Sequence, residues 1–271
     1  MVQWSKTLGT LTLIFGLCQA TAAQAKPSCS RPIKAAIAPL ALSIQINDKN
    51  EPYGPAVDVL TAVSASTGCR FVLSVVPRAR MQVMFQNGEA DFMYASQSPE
   101  RDTVGILVPA LVHGVSLFTL SDGPWKDATE NDLRTGRLRV NVVRGTNMDR
   151  RYHELIDSLE SQKVLEEVVD AATLARKMAR GRTDAGVWPA TAFYAGALEA
   201  GIETRINAVP LPSLGRQRSG FYLSSKSLTD GDRAILQKAF EAELRTGGYW
   251  AALKKIYPPW ALTGYGPYKF N

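Results

Sequence analysis

From residue 33 onward, short apolar runs alternate with segments whose apolar residues recur at helical spacing. Residues 33–38 read as a first strand. Ala56, Leu60 and Val63 fall at i, i+4 and i+7, which predicts a helix over 55–67 with Gly68 as its C-cap. A strand at 71–76, a helix at 78–86 ending on Asn87-Gly88 and a strand at 91–95 follow. Ser98-Pro99 has the form of an N-cap with Pro at the first helical position. A polar stretch over 121–132 then separates off a second series. Strands are predicted at 138–143, 164–169, 185–188 and 204–211, with helices at 147–159, 171–180 and 191–200. Residues 220–224 are extended. A long helix after them carries Ile235, Leu236, Ala239, Phe240 and Leu244 on one face, and a short helix runs from Gly247-Gly248 to Tyr257. There is no internal repeat. Strands alternating with helices predict an α/β fold with mostly parallel strands, in two lobes.

The first 25 residues read as an export signal. Lys6 supplies the positive charge, residues 7–17 are apolar but too short to span a bilayer, and Ala23-Gln24-Ala25 is the small-x-small pattern of a cleavage site. A lipoprotein is not expected, because the bulky Leu17 precedes Cys18. The expected product is a soluble, periplasmic chain. Its remaining cysteines, Cys29 and Cys69, form an even pair in an oxidising compartment, which predicts one disulfide. The two residues lie just before the first and second strands. Strands in such a strand-helix-strand unit are parallel and usually adjacent, so the pair falls at one edge of the sheet.

Net charge is +6, with Lys6 contributing one unit. A mild basic excess favours anionic ligands or surfaces. There is no Lys/Arg-rich run and no basic-aromatic alternation, so nucleic acid is not an expected partner. Cys29, Cys69, His113 and His153 have no metal-ligand spacing, and both histidines read as ordinary surface or packed residues.

Five stretches resemble bacterial extracellular solute-binding protein family 3, the periplasmic polar amino-acid-binding proteins of ABC importers. They are Gly54-Pro55-Ala56-Val57-Asp58-Val59-Leu60, Phe85-Gln86-Asn87-Gly88-Glu89-Ala90-Asp91, Ser98-Pro99-Glu100-Arg101, Gly145-Thr146 and Gly181-Arg182-Thr183-Asp184-Ala185, in the family's order. The resemblance implies a two-lobed type II periplasmic-binding-protein fold. Lobe one would be 26–118 plus 220–271, lobe two 122–216, joined by a two-strand hinge that closes over a ligand.

The resemblance also implies a site. Arg101 would hold a ligand carboxylate through its planar fork of donors, the alternative being a surface arginine in a first helical turn. Gly145 and Thr146 would offer backbone N–H groups where a strand turns into a helix, or form an ordinary turn. Arg144 would line the cleft beside them. Ser96 and Ser98 would add hydroxyls, Ser98 also serving as a cap. Tyr94 and Trp188 either flank the ligand or pack, and for Arg80 a solvated helix face is the better reading.

Three departures bear on the ligand. Asp91 and Arg101 are only ten residues apart, a shorter loop than in the family. Pro189 stands where amino-acid binders carry an aspartate for the ligand's ammonium. Residues 39–44 lack the family's Pro-Phe aromatic lid. A buried ammonium without a carboxylate partner is costly, so a small carboxylate or other polar anion is expected rather than an ordinary α-amino acid.

The expected function is therefore a monomeric solute-binding protein, without cofactor, that hands a small molecule to ABC-transporter membrane subunits. The alternatives are an enzyme on the same fold, as in cyclohexadienyl dehydratase, and a soluble sensing subunit. No positioned acid or base, Ser-His-Asp order or nucleotide loop is recognisable, and Gly264-Tyr265-Gly266 reads as a turn.

Overall fold

The computed structural model describes residue 1 and residues 28–146 and 148–270. The proposed leader and its cleavage after Ala25 lie outside the described residues, apart from Met1. In chain order the first elements are β1 (Ile33–Ile37), β2 (Gln45–Ile46), β3 (Pro52–Tyr53), α1 (Pro55–Thr67), β4 (Phe71–Val75), α2 (Arg78–Asn87), β5 (Phe92–Ser96), α3 (Pro99–Asp102) and β6 (Gly105–His113). Then come β7 (Ser116–Leu120), α4 (Glu130–Arg134), β8 (Val140–Val143), α5 (Arg150–Ser161), β9 (Leu165–Val168), α6 (Ala171–Ala179), β10 (Ala185–Trp188), α7 (Ala190–Glu199) and β11 (Ile206–Pro210). The chain finishes with β12 (Gln217–Ser224), α8 (Asp230–Arg245), α9 (Gly248–Ile256) and β13 (Tyr265–Pro267).

Two large sheets organise most of these elements, while β2 and β3 pair antiparallel in a small sheet of their own. One large sheet has the order β13-β6-β12-β5-β1-β4, the other β11-β7-β10-β8-β9. The chain leaves the first sheet after His113 and rejoins it at Gln217. The sheets are mixed rather than mostly parallel. β4, β1 and β5 are parallel, as are β9, β8 and β10, but β12, β6, β13, β7 and β11 all join antiparallel. The strand-helix-strand units give the parallel part, and the chain's passage between the sheets adds the antiparallel strands.

Local chemistry explains most elements. The expected face of α1 is buried through Ala56, Leu60 and Val63, and Gly68 ends the helix in the left-handed conformation. β8 is buried along its whole length, as befits a strand covered on both faces. Pro109 sits inside β6 because the β6–β12 register shifts between Ser219 and Gly220. Gly220 is required there, since a Cβ would lie 2.1 Å from the Val108 carbonyl oxygen.

The expected disulfide is present. β1 and β4 are parallel neighbours with Ile33 opposite Phe71, and Cys29 and Cys69 are bonded with their Cα atoms 4.9 Å apart. Farther along the same segment, the Ser30 N–H and hydroxyl donate to Asp232 at 2.7 and 2.6 Å. Phe221 and Phe240 stack at 4.7 Å, and Phe92 and Phe240 at 5.6 Å, in the core beneath the first sheet.

Candidate functional site

The ends of the two sheets face a cavity of about 400 Å³. From the first lobe its walls take Pro39 and Leu40 after β1, Arg78 at the start of α2, Tyr94 and Ser96 of β5, His113 of β6, Ser219 of β12, and Tyr249, Tyr257 and Tyr265 of the C-terminal region. From the second lobe come Trp188, Pro189, Thr191, Ala192 and Ala195. The lining is rich in aromatic rings and, among the described residues, contains no Asp or Glu. The volume suits a small organic molecule.

Much of the polar lining is internally satisfied. The Ser43 and Tyr249 hydroxyls are 2.8 Å apart, Tyr249 donates to Tyr94 at 3.2 Å, and the Tyr94 and Ser219 hydroxyls are 3.5 Å apart. Burial raises the Tyr94 phenol above its ordinary pKa, so it remains a neutral donor and acceptor. The Trp188 indole N–H donates to the Thr146 hydroxyl at 2.9 Å, and Thr146 donates to the Val143 carbonyl at 2.6 Å.

Cross-lobe bonds converge on the C-terminal segment. Thr191 donates to the Tyr265 hydroxyl at 2.7 Å, the Trp260 indole N–H donates to the Glu203 carbonyl at 2.8 Å, and Ser116 donates to the Thr263 carbonyl at 3.2 Å. Trp260 also packs edge-on against Phe118 and Phe193. Segment 260–265 thus bonds to the second lobe beside the cavity.

Of the residues singled out from sequence, Tyr94, Ser96 and Trp188 line the cavity. Arg101 does not. Its Nε donates to Gln82 at 2.7 Å, and its Nη1 donates to the Ser96 carbonyl at 2.9 Å and the Ser98 hydroxyl at 3.3 Å. Ser98 is the N-cap of α3, accepting from the Arg101 N–H. Arg144 is exposed and pairs with Glu167, and Arg80 is exposed and pairs with Glu89. α5 begins only at Arg150, capped by Asp149, so Gly145 and Thr146 lie in the loop before the helix rather than at its first turn.

Two lining residues carry chemistry that the sequence pattern did not single out. Arg78 donates to the Pro39 carbonyl at 3.4 Å and has no carboxylate within ion-pair distance among the described residues. Arg78 as a residue is exposed, yet desolvation of its guanidinium, and then the nearby Arg101, lower its pKa. His113 is 6% exposed and its ring stacks on Tyr265 at 5.1 Å. Its Nδ1 is buried without a partner.

Burial, helped by Arg216, pushes the His113 imidazole down to about 4. The folded-state pKa lies below the ordinary value of 6.5. The unfolded chain therefore binds the proton first, and stability is lost as pH falls from about 6.5 towards 4. Full expression of that shift is worth about 3 kcal/mol. Urea unfolding of His113→Phe, which keeps a ring against Tyr265, should show a shallower loss over this interval than wild type. An identical pH profile would contradict the assignment.

Among the described residues no cluster of His, Cys, Asp and Glu has the makings of a metal site. No helix among them is long and apolar enough to cross a membrane.

No protein-family model matches the sequence, and no curated protein matches it. Solved structures do. An ancestral cationic amino-acid solute-binding protein aligns with a TM-score of 0.65 at 16% identity, covering 84% of this chain and 96% of its own. A histidine kinase sensor domain with similarity to periplasmic binding proteins aligns with a TM-score of 0.58 at 23% identity, covering 83% and 95%. The arginine-, lysine-, histidine-binding protein ArtJ from the thermophilic bacterium Geobacillus stearothermophilus gives 0.58 at 16% identity, covering 84% and 95%. With its two α/β sheets and the cavity between them, the chain has the two-lobed periplasmic-binding-protein fold.

Proposed function

We propose that the chain is an extracytoplasmic solute-binding protein of the family 3 type, which captures a small anionic molecule between its lobes for an ABC importer. The cavity supports this reading most strongly. It is walled by both lobes, presents Arg78, and among the described residues contains no carboxylate to balance an ammonium group. The cationic ligands named for the ancestral protein and for ArtJ would leave an uncompensated charge here. Export through the leader, a periplasmic location and a monomeric state belong to the same proposal. Coupling to a sensor partner instead of an importer is the second reading, motivated by the likeness to a kinase sensor domain. It changes the partner and leaves the cleft chemistry as it is.

The test is thermal denaturation of the protein lacking residues 1–25 against four sets of solutes: organic acids, neutral sugars, α-amino acids and polyamines. An organic acid should stabilise it, by roughly 2.7 kcal/mol at a concentration of one hundred times Kd. Stabilisation by polyamines or basic amino acids alone would overturn the anionic assignment.

A further inference from the structure

We propose that the cleft is built for an elongated aromatic monocarboxylate, with its carboxylate on Arg78 and its ring at the His113–Tyr265 stack. The inference rests on the cleft being a solute-binding site and specifies what enters it.

The order of strands sets the two ends. Arg78 follows β4 and reaches the carbonyl of Pro39, just beyond β1, so it stands at the β1–β4 flank of the first sheet. His113 ends β6 and is registered opposite Tyr265 of β13, at the other flank. Between β1 and β6 lie β5 and β12. Three strand spacings of about 4.8 Å place the two ends roughly 14 Å apart along the sheet. The side chains shorten that gap, and the remaining span suits a ring joined to a carboxylate by a short spacer.

Each end has its own chemistry. Arg78 contributes a planar fork of donors that matches a carboxylate. Its bond to the Pro39 carbonyl is a long 3.4 Å. Arg101, held in place by Gln82, Ser96 and Ser98, adds charge of the same sign behind it. The His113 and Tyr265 rings are stacked, 15° from parallel with centroids 5.1 Å apart, and both line the cavity. Trp188 adds a second aromatic surface whose N–H is already committed to Thr146. What Trp188 offers a ligand is its π face.

The middle of the cleft asks for little. The Tyr94 and Tyr249 hydroxyls bond to each other and to Ser43 and Ser219. A ligand carrying a charge or several hydroxyls at its centre would have to break that chain of bonds. An apolar linker would not. An α-ammonium group beside the carboxylate would find no acid among the lining residues.

Calorimetry tests the inference with benzoate, phenylacetate, 3-phenylpropionate and 4-phenylbutyrate, alongside the primary amide of each, octanoate, succinate and L-phenylalanine. At least one of the four aryl acids should bind, and its amide, octanoate, succinate and L-phenylalanine should bind more weakly. In Arg78→Gln, whose unliganded melting temperature should match wild type because the residue is exposed, affinity for that acid should fall roughly tenfold to a hundredfold. Affinity for its amide should not change. Failure of all four aryl acids would overturn the inference, as would equal affinity of the acid for wild type and Arg78→Gln. If octanoate or succinate binds and the aryl acids do not, the binding-protein reading stands and the ligand class is wrong. If no solute of any charge binds, that reading falls as well.

Discussion

Replacing Asp91 by alanine is expected to destabilise the protein by about 3 kcal/mol. The Asp91 side chain is 1% exposed and receives both ends of the Arg31 guanidinium, at 2.6 and 2.8 Å. The Lys34 backbone N–H donates to it at 2.8 Å. Arg31 in turn donates to the Ser227 carbonyl at 2.7 Å. One carboxylate thus fastens the start of β1, the start of β5 and the turn after β12. Burial alone would raise its pKa, but the bonds from Arg31, Ser227 and Lys34 outweigh burial and hold it below the usual carboxylate range. The stabilisation is therefore complete above the ordinary aspartate pKa and is lost as pH falls through the depressed one. The expected cost lies at the lower end for a broken buried pair, because the Arg31 side chain is 38% exposed and can relax into water. Urea unfolding at neutral pH measures it. A change below about 0.5 kcal/mol, the size typical of a neutral surface substitution, would contradict this role.

Removing the disulfide should have a larger effect. The Cys29–Cys69 bond closes a loop with a sequence separation of 40, for which chain entropy gives about 4 kcal/mol. The bond lies before the N-terminal ends of β1 and β4, whereas the cavity is lined by residues at the opposite ends of the strands, Pro39 after β1 and Ser96 of β5. Its loss should lower stability without altering the chemistry of the cleft. The double variant Cys29→Ser/Cys69→Ser, unfolded in urea beside wild type, should show the deficit. Mass spectrometry without reductant should find no free thiol at either position in wild type. Two free thiols would refute the bond, and an unchanged midpoint would show that it contributes nothing.

The parts of this fold that were legible in the sequence were those with local periodicity. α1 announced itself through Ala56, Leu60 and Val63, α8 through Leu236 and Phe240, and both helices bury those residues. The disulfide could be read because one strand-helix-strand unit fixes the relation of its two strands. β6 and β7 were not legible. They form an apolar stretch with a proline inside it, and the bulge at Ala110, beside Pro109, is defined only by pairing with β12, about 110 residues away in sequence. α4 is a five-residue helix within a polar segment, recognisable only through the reciprocal capping of Thr129 and Asp132.

The site was less legible still. Tyr94 and Trp188 could be placed near a cleft because they fall at strand ends, and Ser96 because it flanks Ser98-Pro99-Glu100-Arg101. Tyr249, Tyr257 and Tyr265 reach it from the C-terminal return of the chain, and no spacing in sequence announces such convergence. His113 read as an ordinary histidine because its distinguishing features, burial and a ring stacked on Tyr265, are tertiary. Arg78 and Arg80 were indistinguishable by composition. Helix geometry turns Arg78 to the cavity and Arg80 to Glu89.

The most direct test of a solute site between the lobes compares wild type with a variant whose cleft is filled. Ala192, on α7, lines the cavity from the second lobe, and Ala192→Trp would occupy much of it. Both proteins are melted with and without the same set of organic acids. The expected result is that at least one acid raises the melting temperature of wild type and none raises that of Ala192→Trp, while the two proteins melt alike without ligand. Equal stabilisation of both would place binding outside the cleft and contradict the proposed function.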